Sequence, residues 1–157
     1  MRTIKIYTKN DLYQKFEVLK SNRNKRYKYK EFFVEGVRNI NEAVKNGWEI
    51  NSFIYSFEKP LSSWANNLLK TVVTKINYEL TIDLMKDIST KEETSEILAL
   101  INMKDEKNHK IEYSSTPILA LFDRPSNKGN LGTLLRSCDA LGVEQLIITG
   151  HAVDIYD

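Results

Sequence analysis

Residues 118–149 read ILALFDRPSNKGNLGTLLRSCDALGVEQLIIT. Ile118 to Phe122 is a near-continuous apolar run, as in a parallel strand covered on both faces. Asp123 to Asn130 is rich in Pro, Ser, Asn and Gly and reads as a loop. Leu131 to Leu141 has helical spacing, with Leu131, Leu134, Leu135 and Cys138 on one face and Gly142 placed to close it. Gln145 to Thr149 is a second buried strand. Together they make one βαβ unit of a parallel sheet. In such a unit the loop after the first strand leads into a helix N-terminus, where free N–H groups and the helix dipole favour anions. Asn130 is suited to N-cap that helix, and Gly129 and Gly132 allow a ligand close approach. Arg136 lies opposite the apolar stripe, so packing does not consume it. An ordinary βα turn followed by an exposed arginine is the competing reading, and spacing alone does not separate the two. Two strands and one helix also leave a sheet edge and a sheet face open. The expectation is a fragment of a longer α/β domain, or strands supplied by a partner or swapped segment.

Upstream, Lys104-Asp-Glu-Lys-Asn-His-Lys110 is charged and lacks periodicity, and residues 104–115 read as a linker. Residues 1–103 alternate between strand and helix. Ile4 and Ile6 mark a strand, and Leu12, Phe16 and Leu19 share one face of a helix over Asn10–Arg23. Phe32–Glu35 is a short strand, followed by Gly36 at a tight turn. Val37, Ile40 and Val44 mark the next helix, with Gly47 as its C-cap. Ile50–Tyr55 is a strand, and Ser62-Ser63 opens a helix through Leu69. Thr71–Thr74 is read as a strand, Leu80, Leu84 and Ile88 as a helix face, and Ile97–Met103 as a strand. The fold class is α/β: a small α/β domain, then the first βαβ unit of a parallel-sheet domain.

The net charge of +2 conceals an asymmetry. Residues 1–30 carry ten Lys/Arg against Asp11 and Glu17, while the remainder is net acidic. The densest part is Lys20-Ser-Asn-Arg-Asn-Lys-Arg-Tyr-Lys-Tyr-Lys30, read as an exposed loop or fraying helix end because crowded like charges oppose a compact helix. Lys20, Arg23, Lys25, Arg26, Lys28 and Lys30 form a footprint for a polyanion, nucleic acid being the usual one. Tyr27 and Tyr29 among them are stacking candidates. A solvated basic face is the alternative. The single cysteine, Cys138, excludes an internal disulfide and reads as a small buried hydrophobe. His109 and His151 lie too far apart for a metal site. No run is long enough to span a bilayer, and Met1-Arg-Thr-Ile-Lys-Ile lacks the apolar core of a secretory signal. A cytoplasmic location is the expectation.

Asn130-Leu-Gly-Thr-Leu-Leu-Arg136, followed by Ser-Cys-Asp-Ala-Leu-Gly142, resembles the first motif of SpoU/TrmH RNA ribose 2′-O-methyltransferases: N-x-G-x-x-x-R, a small residue, then A-x-G. Asp123-x-Pro-x-Asn127-x-Gly129 resembles that family's preceding loop. Phe32-Phe-Val-Glu-Gly-Val-Arg38, with Ala43 and Gly47-Trp48, resembles the F-x-x-E-G segment of its substrate-binding domain. The matches fall in the family's order and span about residues 20–157.

The resemblance implies S-adenosylmethionine-dependent methylation of a ribose 2′-hydroxyl in ribosomal or transfer RNA, in a knotted catalytic domain of a homodimer. Arg136 would help deprotonate the hydroxyl together with the substrate's phosphate, and Asn130 would shape the site. Because an arginine is fixed as a cation, polarisation and positioning suit it better than the role of a free base. Residues 1–103 would bind structured RNA, with Glu35 and Arg38 added to the basic segment, and residues 116–157 would open the catalytic domain. The motifs that build the methyl-donor pocket are expected beyond Asp157, so this chain is expected to bind RNA without transferring a methyl group. Ser95-Glu96 stands where the family often has Gly. A non-catalytic RNA-binding module and a nucleotide-binding α/β protein are the rival readings.

Overall fold

The computed structural model describes residues 2–104 and 112–157 and divides the chain into two compact units, residues 1–104 and 105–157. The charged stretch around His109 lies outside the described residues.

The first unit has five strands, β1 (Arg2–Ile6), β2 (Glu31–Glu35), β3 (Ile50–Ser56), β4 (Ile76–Leu80) and β5 (Ile97–Asn102). Its helices are α1 (Asp11–Ser21), α2 (Arg23–Tyr29), α3 (Val37–Lys45), α4 (Ser63–Thr71) and α5 (Ile82–Ile88). The sheet order is β1-β4-β3-β5-β2. Strands β1, β4 and β3 run parallel, and β5 is antiparallel to both β3 and β2.

Period-two alternation in β5 explains why the unit has three layers. Leu98 and Leu100 join Phe16 and Leu19 of α1 and Leu84 and Ile88 of α5 in one core. Ile97, Ala99 and Ile101 join Ile40 of α3 and Ala65 and Leu68 of α4 in the other. A buried side chain of this size contributes roughly 1.5–3 kcal/mol through lost contact with water. β5 is therefore apolar on both faces, although its pairing is antiparallel.

Three local readings of the sequence change here. The basic segment is not a loop, because α2 occupies Arg23–Tyr29. Asn22 caps it by accepting from the Lys25 N–H at 3.1 Å, and Arg26 leaves the charged surface for the interior. The strand before α5 is Ile76–Leu80 rather than Thr71–Thr74, and Val73 is 91% exposed. Its pattern is masked by Asn77, a fully buried polar residue whose Oδ1 accepts from Phe53 N–H and from the Thr74 hydroxyl, both at 3.0 Å. Leu80 consequently ends β4, and Thr81 caps α5. The expected glycine C-caps are present: Gly47 and Gly142 have φ of +66° and +71°. There Trp48 N–H reaches the Ala43 carbonyl and Val143 N–H the Cys138 carbonyl, the wrapped hydrogen bond of a Schellman end.

The second unit contains β6 (Leu119–Asp123), α6 (Lys128–Ala140) and β7 (Gln145–Thr149). β6 and β7 pair in parallel, Leu121 opposite Ile147, so the unit is βαβ. α6 begins three residues earlier than the apolar spacing suggests and buries Leu131 and Cys138. Leu135 is exposed and does not belong to the stripe. Ala120, Phe122, Leu146 and Ile148 are half-buried, whereas Leu119, Leu121 and Ile147 on the other side of the strands are exposed, Leu121 by 66%. The strand is apolar on both sides, and the described residues cover one of them. No described helix is long and apolar enough to cross a membrane.

Candidate functional site

The turn between β6 and α6 is held by short polar contacts. Asp123 Oδ1 accepts from the Thr149 hydroxyl at 2.8 Å, and Asp123 Oδ2 from Arg124 Nε at 2.8 Å. Arg124 takes φ +50° and its N–H donates to the Thr149 carbonyl at 2.9 Å. Gly150, at φ +68°, allows Arg124 to lie against it: a Cβ there would stand 2.4 Å from Arg124 Cγ.

The N-cap of α6 is Asn127, not Asn130. Asn127 Oδ1 accepts from the Asn130 N–H at 3.0 Å. Asn130 is thus inside the first turn, with its side chain exposed. The sequence signal for this was an Asn three residues ahead of the donor it satisfies. Arg136 is exposed and bends back toward the helix N-terminus. Its Nη2 donates to the Thr133 hydroxyl at 3.1 Å, and that hydroxyl donates to the Gly129 carbonyl at 2.9 Å. Nη1 lies 3.4 Å from where a Cβ on Gly132 would stand. Gly132 therefore leaves the room the guanidinium uses, and Thr133 orients it. Asn130 and Arg136 share the exposed N-terminal half of one helix, and Thr133 is a member of the cluster that the motif reading left unassigned.

The basic segment of the first unit is divided by function. Arg26 is 3% exposed. Its Nη1 donates to the Leu19 carbonyl at 3.1 Å and the Lys20 carbonyl at 3.0 Å, satisfying orphan acceptors at the end of α1. Lys20 is half-buried and donates to the Ile88 and Ser89 carbonyls at 3.0 and 3.2 Å. These two residues are fasteners rather than an outward footprint. Lys28, Tyr29, Lys30 and Arg23 are exposed, and Lys25 is half-buried. Arg23 lies over the Tyr27 ring at 5.7 Å and Lys15 over the Tyr29 ring at 5.2 Å, so both aromatic rings already carry a cation.

Glu35 and Arg38 part company as well. Arg38 is exposed at the start of α3. Glu35 is buried and accepts from the Ser89 hydroxyl at 2.6 Å, the Thr90 hydroxyl at 2.6 Å, Thr90 N–H at 2.7 Å and Ser95 N–H at 3.4 Å. Burial works to raise its pKa, but these donors together outweigh it and the carboxyl is held below its ordinary value. Ser95 and Glu96, which stand where the resembled family often has Gly, both have structural work. Ser95 donates to Glu35, and Glu96 accepts from the Ser62 backbone and from its hydroxyl. Among the described residues no group of His, Cys, Asp and Glu is placed to hold a metal; His151 is exposed and Cys138 buried.

Residues 10–99 match the SpoU L30e-like domain, more than half of the chain. The chain belongs to the SpoU/TrmH methyltransferase family. Over 154 residues it is 39% identical to the 23S rRNA (uridine(2479)-2′-O)-methyltransferase of Streptomyces viridochromogenes, covering 98% of this chain and 53% of that protein. It is 23% identical to the Bacillus subtilis 23S rRNA (guanosine(2553)-2′-O)-methyltransferase RlmP over 86% of this chain and 50% of that one. The crystal structure of the SpoU methyltransferase AviRb from Streptomyces viridochromogenes, in complex with AdoMet, superposes with a TM-score of 0.85 at 40% identity. It covers 94% of this chain and 56% of AviRb. This chain spans about half the length of these SpoU relatives. The mixed α/β fold expected from the sequence is that of the SpoU structures.

Proposed function

We propose that this chain belongs to an enzyme that methylates a ribose 2′-hydroxyl of ribosomal RNA, using S-adenosylmethionine. The observation that carries the reading is the placement of Arg136: exposed, oriented by Thr133, and turned back over Gly132 on the helix that follows the β6 loop. The two ribosomal RNA 2′-O-methyltransferases that it resembles support the choice of RNA and of acceptor. Residues 1–103 bind and position the RNA, 104–115 link the units, and 116–157 open the catalytic domain. Structured RNA meets the outward cations Arg23, Lys25 and Lys28 of α2, Lys30 at its C-terminal end, and Arg38 in the first turn of α3. A homodimer and a cytoplasmic location complete the reading.

Arg136 acts as a fixed cation. It holds the ribose hydroxyl by its oxygen, favours the charge that develops there as the substrate's neighbouring phosphate takes the proton, and steadies that phosphate. Asn130 shapes the floor beside it. S-adenosylmethionine supplies an electrophilic methyl group. Asp123 is engaged by Thr149 and Arg124, and Asn127 caps α6; the reading assigns the methyl donor no residue of this loop.

The test is methylation of ribosomal RNA by the full-length protein, with nuclease mapping of the product. A single 2′-O-methylated ribose that disappears in Arg136→Ala supports the proposal. Methylation on a base overturns it. A non-catalytic RNA-binding role is the second reading, and RNA binding with no methyl transfer by the full-length protein would favour it.

A further inference from the structure

The first unit carries a cavity of about 560 Å³ beside Ser56 at the end of β3. Its volume suits a small ligand. Leu61, Ile82 and Met85 give it apolar walls. Lys59, Lys86 and Lys91 surround the mouth, together with Glu92 and Glu93. All five charged residues are exposed, and no ion pair among the described residues engages them. Glu96 also lines it, but its carboxylate is taken by Ser62.

One wall is the segment from Lys91 to Glu96, and Glu35 anchors that wall by binding Ser89 and Thr90 just ahead of it and Ser95 within it. The carboxylate takes four donors from Ser89, Thr90 and Ser95. The Ser89 oxygen in turn accepts from Lys91 N–H at 3.1 Å. Lys91 then reaches across Gly36, whose φ of +102° no ordinary side chain adopts readily and where a Cβ would meet the lysine Nζ at 2.7 Å. The E-G pair of the F-x-x-E-G segment therefore does two things. Glu35 fixes the wall, and Gly36 leaves space for the lysine it carries.

We propose that this cavity receives one unpaired nucleotide of the RNA, with an amino-bearing base between Leu61, Ile82 and Met85 and its phosphate toward Lys86 and Lys91, and that Glu35 is the positioning residue of this site. The inference rests on the reading that this unit binds RNA. Extruded bases can be sandwiched between apolar side chains, and unstacked bases are commonly read on their hydrogen-bonding edges. Lysines are point donors to phosphate. Carboxylates such as Glu92 and Glu93 accept from exocyclic amino groups, as on cytosine N4, and would repel the carbonyl edge of uracil. That combination explains a mouth bearing both signs of charge.

The test is titration of the ¹⁵N-labelled chain with CMP, UMP, cytidine and a single-stranded hexacytidylate, followed by amide shifts. CMP should move the amides of Ser56, Ile82, Lys86, Lys91 and Thr94, bind at least threefold tighter than UMP, and bind tighter than cytidine. Hexacytidylate should move the same amides. Lys86→Ala with Lys91→Ala should weaken CMP tenfold or more without disturbing the fold. Glu35→Gln should weaken CMP similarly in protein shown by its spectrum to be folded, and Glu35→Asp should restore part of it. A folded Glu35→Gln chain that melts earlier but binds CMP normally removes the positioning role. CMP shifts that fall elsewhere, or none, overturn the site. Binding of CMP without hexacytidylate makes it a free-nucleotide site and overturns the RNA assignment. Binding of structured ribosomal RNA is measured alongside. Its survival with an empty cavity sinks this inference alone, and its loss sinks the RNA reading itself.

Discussion

Arg26 belongs to α2, yet its guanidinium closes α1, donating to the Leu19 carbonyl at 3.1 Å and the Lys20 carbonyl at 3.0 Å. Deleting the side chain leaves buried acceptors without their donor, a loss of about 1–3 kcal/mol. Arg26→Ala is therefore expected to lower stability by that amount in urea titrations. At low temperature, where the variant stays folded, its affinity for structured RNA should change less than twofold. A normal melt coupled to a large loss of RNA binding would turn Arg26 outward and contradict its placement.

The outward lysines of α2 predict the reverse pattern. Lys25→Ala with Lys28→Ala should leave the melting temperature nearly unchanged, since surface substitutions usually stay within about 0.5 kcal/mol. The plot of log affinity for structured RNA against log salt should flatten by about 2 units, one released counterion set per lost phosphate contact. An unchanged slope removes this helix from the interface.

Glu35 gives stability a pH dependence of known sign. Its folded carboxyl titrates below the ordinary value of 4.5, burial being outweighed by donors from Ser89, Thr90 and Ser95. A depressed carboxyl stabilises the fold above its unfolded pKa and loses that contribution as pH falls through the folded value. Glu35→Gln should consequently melt well below wild type at pH 7, and the gap should close as pH is lowered through and below 4.5. A gap independent of pH would show that the carboxylate's charge does not matter there.

Arg26 and Glu35 also show which parts of the molecule were legible in the sequence. Phe16 announced itself by helical period, and Leu98 and Ile101 by lying in a continuous apolar run, because burial of apolar faces is written locally. Gly47 and Gly142 announced the ends of their helices for the same reason. Asn77, Arg26 and Glu35 could not. Asn77 and Glu35 are held by partners distant in sequence, 24 residues for the Phe53 N–H bound by Asn77 and 55 for the Thr90 N–H bound by Glu35, while Arg26 turns back to carbonyls six and seven residues away on the preceding helix. Local pattern reading treats such residues as surface, so it placed β4 too early and counted the fasteners Lys20 and Arg26 in the basic footprint; Glu35 joined the RNA contacts through the family resemblance. The Asn130–Arg136 motif was singled out by its resemblance to the family's first motif, since its spacing alone did not separate it from an ordinary βα turn. Even there, Asn127 rather than Asn130 proved to be the cap, since both satisfy the same composition rule and only the backbone path selects one.

Arg136 carries the prediction nearest to chemistry. It is exposed, and its contacts are one hydrogen bond to Thr133 and the open space over Gly132. Removing it should change folding stability by no more than about 0.5 kcal/mol. If it favours charge on the ribose oxygen, Arg136→Ala should slow single-turnover methyl transfer by the full-length protein roughly a hundredfold or more. Arg136→Lys should recover only part of the rate, because an ammonium does not reproduce the planar two-pronged contact of a guanidinium. Thr133→Val separates orientation from charge. It keeps the cation but removes the oxygen that Nη2 donates to, so its defect should be smaller than that of Arg136→Ala and should not add fully to it. Thermal melts run alongside exclude misfolding as the cause. Near-normal transfer by well-folded Arg136→Ala would leave Arg136 as nothing more than a solvated side chain on α6.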